Sequence, residues 1–195
     1  WDYIMPVTML QCPLNQWHHV VYVAEGILTG RERTYIDGVQ TVNVASIWKG
    51  ILSGNNNVTI GANVDGTSQW FAGVMDEIRI HDVALSASEV SASYNAGPTQ
   101  IPPPVLPDPN HLVEQWTFNE GSGTTVASSG TWHTPGRILT NVSNPVWVST
   151  PGGSGLQFGG VAAGGFVYLD NTYDPAIWGG GAAAGITAMT IEAWV

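Results

Sequence analysis

The strongest candidate for chemistry in the sequence is an aspartate inside an alternating strand pattern. In VMDEIRI, simple alternation places Asp76, Ile78 and Ile80 on one face of the strand. It places Glu77 and Arg79 on the other face. If the isoleucines face the core, Asp76 points inward with them. A buried carboxylate is costly unless it is paired or bound to a metal. The pattern therefore predicts that Asp76 either accepts backbone hydrogen bonds or binds a cation.

Two adjacent histidines, His18 and His19, also have side chains that can bind metals. They lie side by side in the alternating stretch WHHVVYV, so they face opposite sides of a strand. This placement favours one core and one surface histidine over a shared metal site.

Several tryptophans near loops and strand ends are candidates for ligand binding. An exposed indole can stack on a sugar ring, but it can equally well pack inside the protein. Both alternatives stay open for each of these residues. The candidates are Trp48, Trp70, Trp132 and Trp178.

The sequence has few patterns that indicate catalysis. A glycosidase needs two carboxylates at a defined separation, whereas the strand TIEAWV carries Glu192 alone. There is no G-x-S-x-G motif, no H-E-x-x-H motif and no phosphate-binding loop. The single cysteine, Cys12, is expected to be a small core residue. We therefore predict that the protein is not an enzyme.

The charge balance narrows the choice of partner. The chain has 195 residues, with 5 Lys and Arg against 15 Asp and Glu and a formal net charge of −10. Nucleic acid is excluded as a partner, because it requires clustered cations, whereas divalent cations suit an acidic chain. No apolar run reaches the ~18 residues that a membrane span needs. The low lysine content, with much Gly, Asn, Ser and Thr, is typical of extracellular proteins.

The elements that would position these residues are mostly strands. The 24 Gly and 12 Pro favour turn-rich β structure. Asp37-Gly38 between two extended runs predicts a two-residue hairpin, and a further strand is predicted over Val58 to Val64. Ser86 with Glu89 forms a capping-box pattern, which predicts a short helix to about Tyr94. TIEAWV, Thr190 to Val195, alternates like a half-buried strand.

These motifs resemble those of one family of domains, but the two halves of the domain occur in the reverse order along the chain. LNQWHHVVYVAEG, RTYIDGVQ, VTIGAN and FAGVMDEIRIHDVALSASEV resemble the C-terminal half of a laminin-G-like domain of the concanavalin A-like type. VEQWTFNEGSGTTVASSG, GLQFGG and ITAMTIEAWV resemble the N-terminal half. The resemblance implies an all-β, antiparallel jelly-roll β-sandwich with one short helix.

This resemblance divides the chain into three parts. Residues 1–97 correspond to the C-terminal half of such a sandwich, 98–110 to a proline-rich linker, and 111–195 to an N-terminal half. Either the halves pack as one permuted sandwich, or the chain holds the end of one repeat and the start of the next. TIEAWV corresponds to an interior strand, so we expect it to be completed within the chain or by a neighbouring one.

The resemblance also implies a calcium site. Such folds often hold Ca²⁺ between the last strand and the first strands, and Asp76 matches the acid of that last strand. Asn119 and Glu120 lie near the corresponding first strand, and Gly160 could supply a carbonyl oxygen. Oxygen ligands of this kind suit Ca²⁺.

The function implied is a non-catalytic module, extracellular or on a cell surface, that serves adhesion or binds a glycan or protein. It would be a repeat of a larger surface protein, with tandem-repeat neighbours or self-association. One alternative is a structural subunit of an extracellular filament or layer assembled by strand exchange. Another alternative is a glycan hydrolase or lyase.

Overall fold

The computed structural model describes most of the chain. The described residues are 12–26, 30–45, 58–63, 66–98, 111–130, 134–140, 143–169 and 188–195. Within them the structure consists of antiparallel strands, one α-helix and one short 3-10 turn, which confirms the predicted all-β class. The strands are β1 (His19–Ala24), β2 (Arg31–Ile36), β3 (Val39–Ala45), β4 (Thr59–Ile60), β5 (Ala72–His81), β6 (Leu112–Trp116), β7 (Thr125–Val126), β8 (Gly136–Thr140), β9 (Val146–Thr150), β10 (Gly153–Gly159), β11 (Gly165–Leu169) and β12 (Met189–Trp194). The helix is α1 (Ala87–Ala96), and the 3-10 turn is Gly160–Ala162.

The strands form two sheets. The larger sheet has eight strands in the order β3-β2-β1-β12-β5-β10-β9, with β6 also paired to β5. The smaller sheet has the order β4-β11-β8-β7. The main core contains residues of both sheets, among them Ile78, Trp116, Phe158 and Val167. No helix of the described residues is long and apolar enough to cross a membrane.

Strands from both sides of the proline-rich segment share these sheets. β12 lies between β1 and β5 and pairs antiparallel with both. β5 also pairs with β6 and β10, and β4 pairs with β11. The interior position expected for TIEAWV is therefore filled from within this chain. The division into domains at 98–110 stays a prediction, and residues 99–110 lie outside the described residues.

The β2–β3 hairpin forms at the predicted turn. Asp37 and Gly38 have φ of 52° and 75°, which is the positive pair that a tight two-residue hairpin turn requires. β3 is an edge strand, and its outer side is partly blocked by Arg31. This guanidinium donates to the Asn43 side-chain oxygen at 2.6 Å and to the Asn43 carbonyl at 2.8 Å.

The strand predicted over Val58 to Val64 is shorter than expected. Among the described residues 58–63, the strand comprises Thr59–Ile60, and the Val58 carbonyl also accepts from the Leu169 N–H of β11 at 3.0 Å. Gly61 follows with φ of 87° and turns the chain, because glycine adopts the left-handed region without steric cost. The Asn63 side-chain oxygen then accepts from the backbone N–H groups of Thr67 and Ser68, which holds the loop in a turn.

The capping box before α1 is confirmed. The Glu89 N–H donates to the Ser86 hydroxyl at 3.3 Å, and the Ser86 N–H donates to the Glu89 carboxylate at 2.6 Å. The helix ends before Gly97, which has φ of 74°. α1 covers the outer face of the larger sheet, where Val90 packs with Val21 and Tyr35 in a second, smaller core.

Candidate functional site

Asp76 is buried, but it does not share a face with Ile78 and Ile80. Across the β5–β12 ladder Trp194 pairs with Asp76, whereas Glu192 pairs with Arg79, so β5 holds one extra residue between them. Residues paired directly, or two apart on one strand, point to the same side of a sheet. Asp76 therefore faces α1 with Arg79, Glu192 and Trp194, and the face predicted by simple alternation is wrong.

The extra residue in β5 has a backbone signature. Glu77 has φ of 51°, a left-handed conformation in the middle of a strand. A bulge of this kind inverts the alternation beyond it. Met75 before the bulge and Ile78 after it both contact the main core, although they are three residues apart.

The environment of Asp76 favours its neutral form. The Thr150 hydroxyl donates to Oδ2 at 2.8 Å, and Oδ1 is buried with no partner of hydrogen-bonding geometry among the described residues. Burial raises the pKa of Asp76 to about 7, and the Glu77 charge adds to this effect, whereas the Thr150 hydrogen bond, the backbone N–H of Glu77 and the charge of Arg79 oppose it. A carboxyl group of this kind can exchange its proton for a cation near neutral pH.

The other proposed calcium ligands lie in different places. The Asn119 side chain accepts weakly from the Ser154 N–H at 3.4 Å, so it lies beside the β9–β10 hairpin, as does Asp76 through Thr150. Glu120 is exposed and accepts from the Ala127 N–H at 2.6 Å. Gly160 lies against Ala72, which is four residues from Asp76 along β5. That spacing corresponds to roughly 13 Å, so Gly160 and Asp76 cannot bind the same ion.

The described residues contain no cluster of three His, Cys, Asp or Glu side chains that could hold a metal. Asp76 still fits a calcium ligand, because its Oδ1 is a buried oxygen that no donor among the described residues reaches with good hydrogen-bond geometry. Of the four predicted ligands, Asp76 and Asn119 lie at the turn end of the β9–β10 hairpin, whereas Gly160 follows the other end of β10.

Among the tryptophans proposed as ligand-binding residues, only Trp70 lies within the described residues. Trp48, Trp132 and Trp178 lie outside them. Trp70 is half-buried, and its indole N–H donates to the Gly66 carbonyl at 3.3 Å. Gly66 in turn lies against the Phe166 ring, so Trp70 belongs to a loop beside the smaller sheet.

The outer face of the smaller sheet carries a polar row across four strands. Thr59 pairs with Tyr168, Tyr168 with Arg137, and Arg137 with Thr125, so these side chains point to one side. The opposite side belongs to the main core, which includes Val167. The Arg137 guanidinium lies over the Tyr168 ring, 5.5 Å from its centre, and is exposed. The guanidinium covers one face of the ring, so the exposed cation and the flanking threonines form a polar surface that a sugar or a peptide can contact.

A dense polar arrangement among the described residues was not predicted from the sequence. Glu192 of β12 is buried under α1 and is contacted by four side chains. Its carboxylate lies 3.2 Å from the His19 ring nitrogen, 3.4 Å from that of His81 and 3.3 Å from the Arg79 guanidinium. It also accepts from the Ser93 hydroxyl at 2.8 Å. We call these five residues the Glu192 cluster.

The Glu192 cluster holds its carboxylate in the charged form. Burial alone would raise the pKa of Glu192, but the hydrogen bonds from His19 and His81 and the charge of Arg79 hold it well below the usual value. Arg79 also donates to Glu77 at 2.8 Å, and Gln115 donates to the same carboxylate oxygen at 2.9 Å. Burial raises the pKa of Glu77, although Arg79 and Gln115 oppose it.

The histidine prediction is wrong in one respect. Both His18 and His19 are buried, although they face opposite sides of β1. His18 is not a surface residue, because its ring lies 2.7 Å from the Asp37 carboxylate and 2.9 Å from the Pro13 carbonyl. The sequence held one usable signal for the cluster, which is that Arg79 and Glu192 are each flanked on both sides by apolar residues of the opposite alternation.

Comparisons with known proteins agree with the fold. Residues 6–91 match a laminin-G family model described as the concanavalin A-like lectin/glucanases superfamily. No curated protein and no solved structure matched the chain.

Proposed function

We propose, from the premise that residues 6–91 carry a laminin-G-like domain of the concanavalin A-like superfamily, that the protein is a non-catalytic binding module. Its role is adhesion, or recognition of a glycan or protein, outside the cell or on its surface. The superfamily also includes glucanases, so the state of the acidic side chains decides between binding and catalysis.

The observation that carries this proposal is the burial of the acids in the strands of the larger sheet. Glu192, Glu77, Glu114 and Asp76 are each at most 3% exposed. Hydrolysis of a glycoside needs two carboxylates that reach the substrate from opposite sides of the bond. Glu192 is instead held by the other four residues of its cluster, and Glu114 accepts from the Thr134 N–H at 2.7 Å. These buried acids are held by neighbouring side chains and backbone groups, which supports a binding role over a catalytic one.

The surface that suits a ligand is the outer face of the smaller sheet. Tyr168 and Arg137 provide an aromatic ring and a cation, and the nearby loop carries Trp70. Aromatic rings stack on the apolar faces of sugars, and arginine donates to hydroxyl or carbonyl oxygens. This arrangement supports a saccharide or an extended peptide as the ligand.

A binding screen tests the proposed function. The full chain is applied to an array of glycans and extracellular proteins, and hits are confirmed by calorimetry. Tyr168→Ala and Trp70→Ala should weaken binding at least tenfold. Val161→Ala, an exposed residue in the 3-10 turn, is the control and should bind normally. Glycan hydrolysis that persists after purification and disappears in Glu192→Gln would instead support the enzyme alternative.

Calcium is a second part of the proposal. The buried, unpartnered Oδ1 of Asp76 supports a role in Ca²⁺ binding, with Asn119 as a neighbour at the same hairpin. The ion would neutralise a carboxylate that is otherwise only partly ionised at neutral pH, and it would connect β5 to the β9–β10 hairpin. Glu120 and Gly160 are not needed for this site.

A further inference from the structure

The groove between β1 and β5, covered by α1, contacts every second side chain of β12. The first contact is with Thr190. Its hydroxyl accepts from the Leu85 N–H at 2.9 Å and donates to the Val83 carbonyl at 2.8 Å. Both partners belong to the connection between β5 and α1. A residue without a hydroxyl at this position would leave both backbone groups unpaired in a buried place.

The second contact is with Glu192, two residues later. Its four partners come from β1, β5 and α1, so three separate elements converge on one carboxylate. A shift of β12 by one residue would place Ile191 or Ala193 among these polar groups. The Glu192 cluster therefore fixes the register of the strand.

The third contact is with Trp194. Its ring centre lies 5.1 Å from that of His19 and 5.8 Å from that of Tyr94 in α1, and the Tyr94 ring is inclined by only 19°. The indole is buried between sheet and helix. The groove thus recognises the pattern Thr-x-Glu-x-Trp, with one site for each of the three side chains.

Backbone pairing completes this recognition. β12 is in register with β1 from His19↔Trp194 to Ala24↔Met189, and its other edge pairs with β5. Strand recognition in general combines main-chain hydrogen bonds, which give affinity, with pockets for alternate side chains, which give specificity. The groove has both properties.

We propose that this groove accepts the β12 strand of a second copy of the chain, so that two copies exchange strands. All the contacts described join β12 to residues before Pro98, and none depends on the two segments belonging to one molecule. The 19 residues between Leu169 and Met189 could span up to roughly 60 Å, which is long enough for either connection. The intramolecular strand competes at a high effective concentration, so exchange rises with protein concentration.

Disulfide trapping tests the exchange in the intact chain. Val20 and Ala193 are directly paired and half-buried, and cross-strand Cα separations suit a disulfide. In a Cys12→Ser background, one chain carries Val20→Cys and a second carries Ala193→Cys. After mixing at high concentration and mild oxidation, a disulfide between the two chains above the level of random collision indicates that one chain's β12 lies in the other's groove. Both changes in a single chain provide the control for geometry.

The proposal expects a cross-linked heterodimer whose yield rises with concentration. A peptide spanning Ala188–Val195 should reduce that yield, and the same peptide with Glu192→Leu should not. Val20→Cys mixed with the exposed Val161→Cys measures random collision. An internal disulfide in the double variant, with heterodimer no greater than this collision level, would overturn the proposal. Equal competition by the two peptides would overturn the role given to Glu192.

Discussion

Asp76 and Trp194 stand opposite each other across the β5–β12 ladder, on the face of the sheet that α1 covers. This pairing removes Asp76 from the isoleucine side of β5 and places it at the border between the helix-covered face and the β9–β10 hairpin. The main core therefore contains no carboxylate from this segment, and Asp76 is available to a proton or an ion.

The pH dependence of the free energy of unfolding should reveal the ionisation of Asp76. Because its pKa is raised from 3.8 to about 7, its contribution to stability is fully present below pH 4 and is lost as the pH rises through 7. The loss should amount to a few kcal/mol, since one pKa unit corresponds to about 1.4 kcal/mol. Asp76→Asn should flatten the dependence of the urea midpoint between pH 4 and 8. Glu120→Gln, at an exposed site, is the control and should keep the pH dependence of the urea midpoint. An unchanged pH dependence in Asp76→Asn would contradict the raised pKa of Asp76.

Calcium should compete with that proton. We expect added Ca²⁺ to raise the melting temperature, since a ligand that binds only the native state stabilises it. The gain should be larger at pH 8 than at pH 6, because more Asp76 is ionised there. Asp76→Ala should abolish the gain and Glu120→Gln should retain it, as measured by calorimetry with and without a chelator. If the native protein gives no response at either pH, Asp76 is an ordinary buried acid.

Removal of the Glu192 carboxylate should destabilise the protein strongly. Glu192→Leu leaves Arg79 and two buried histidines without their shared partner, and breaking a buried charged pair typically costs about 3–5 kcal/mol. Glu25→Gln removes the partly exposed pair with Arg33 and should cost less than about 1 kcal/mol. Urea denaturation measures both. Equal losses in the two variants would show that the Glu192 cluster is energetically unimportant.

The capping box offers a smaller, local prediction. Ser86→Ala removes the acceptor for the Glu89 N–H and should cost about 1 kcal/mol. Glu89→Gln can still reach back to the Ser86 N–H, so it should cost distinctly less. Circular dichroism checks that both variants keep the fold, and their urea midpoints give the difference. A larger loss in Glu89→Gln than in Ser86→Ala would argue against the capping geometry.

The features predicted correctly from the sequence depend on near neighbours. The Asp37-Gly38 turn and the start of α1 each depend on residues within four positions of one another in the sequence. They can therefore be predicted without a structure. The face of Asp76 was predicted wrongly because the bulge at Glu77 is set by pairing with β12, more than 100 residues away. The Glu192 cluster escaped notice for the same reason, since no local pattern joins Glu192 to His19.

The contact between Arg31 of β2 and the edge strand β3 has a consequence for solubility. β3 carries no charged residue from Val39 to Ala45, and an uncharged edge can seed amyloid-like growth by pairing with another edge. The Arg31 side chain places a positive charge beside β3 and donates a hydrogen bond to the Asn43 carbonyl, which is then less available to another strand. We expect Arg31→Ala to shorten the lag time of thioflavin-positive aggregation without lowering the melting temperature appreciably. Arg31 then limits the growth of fibrils from this edge of the sheet.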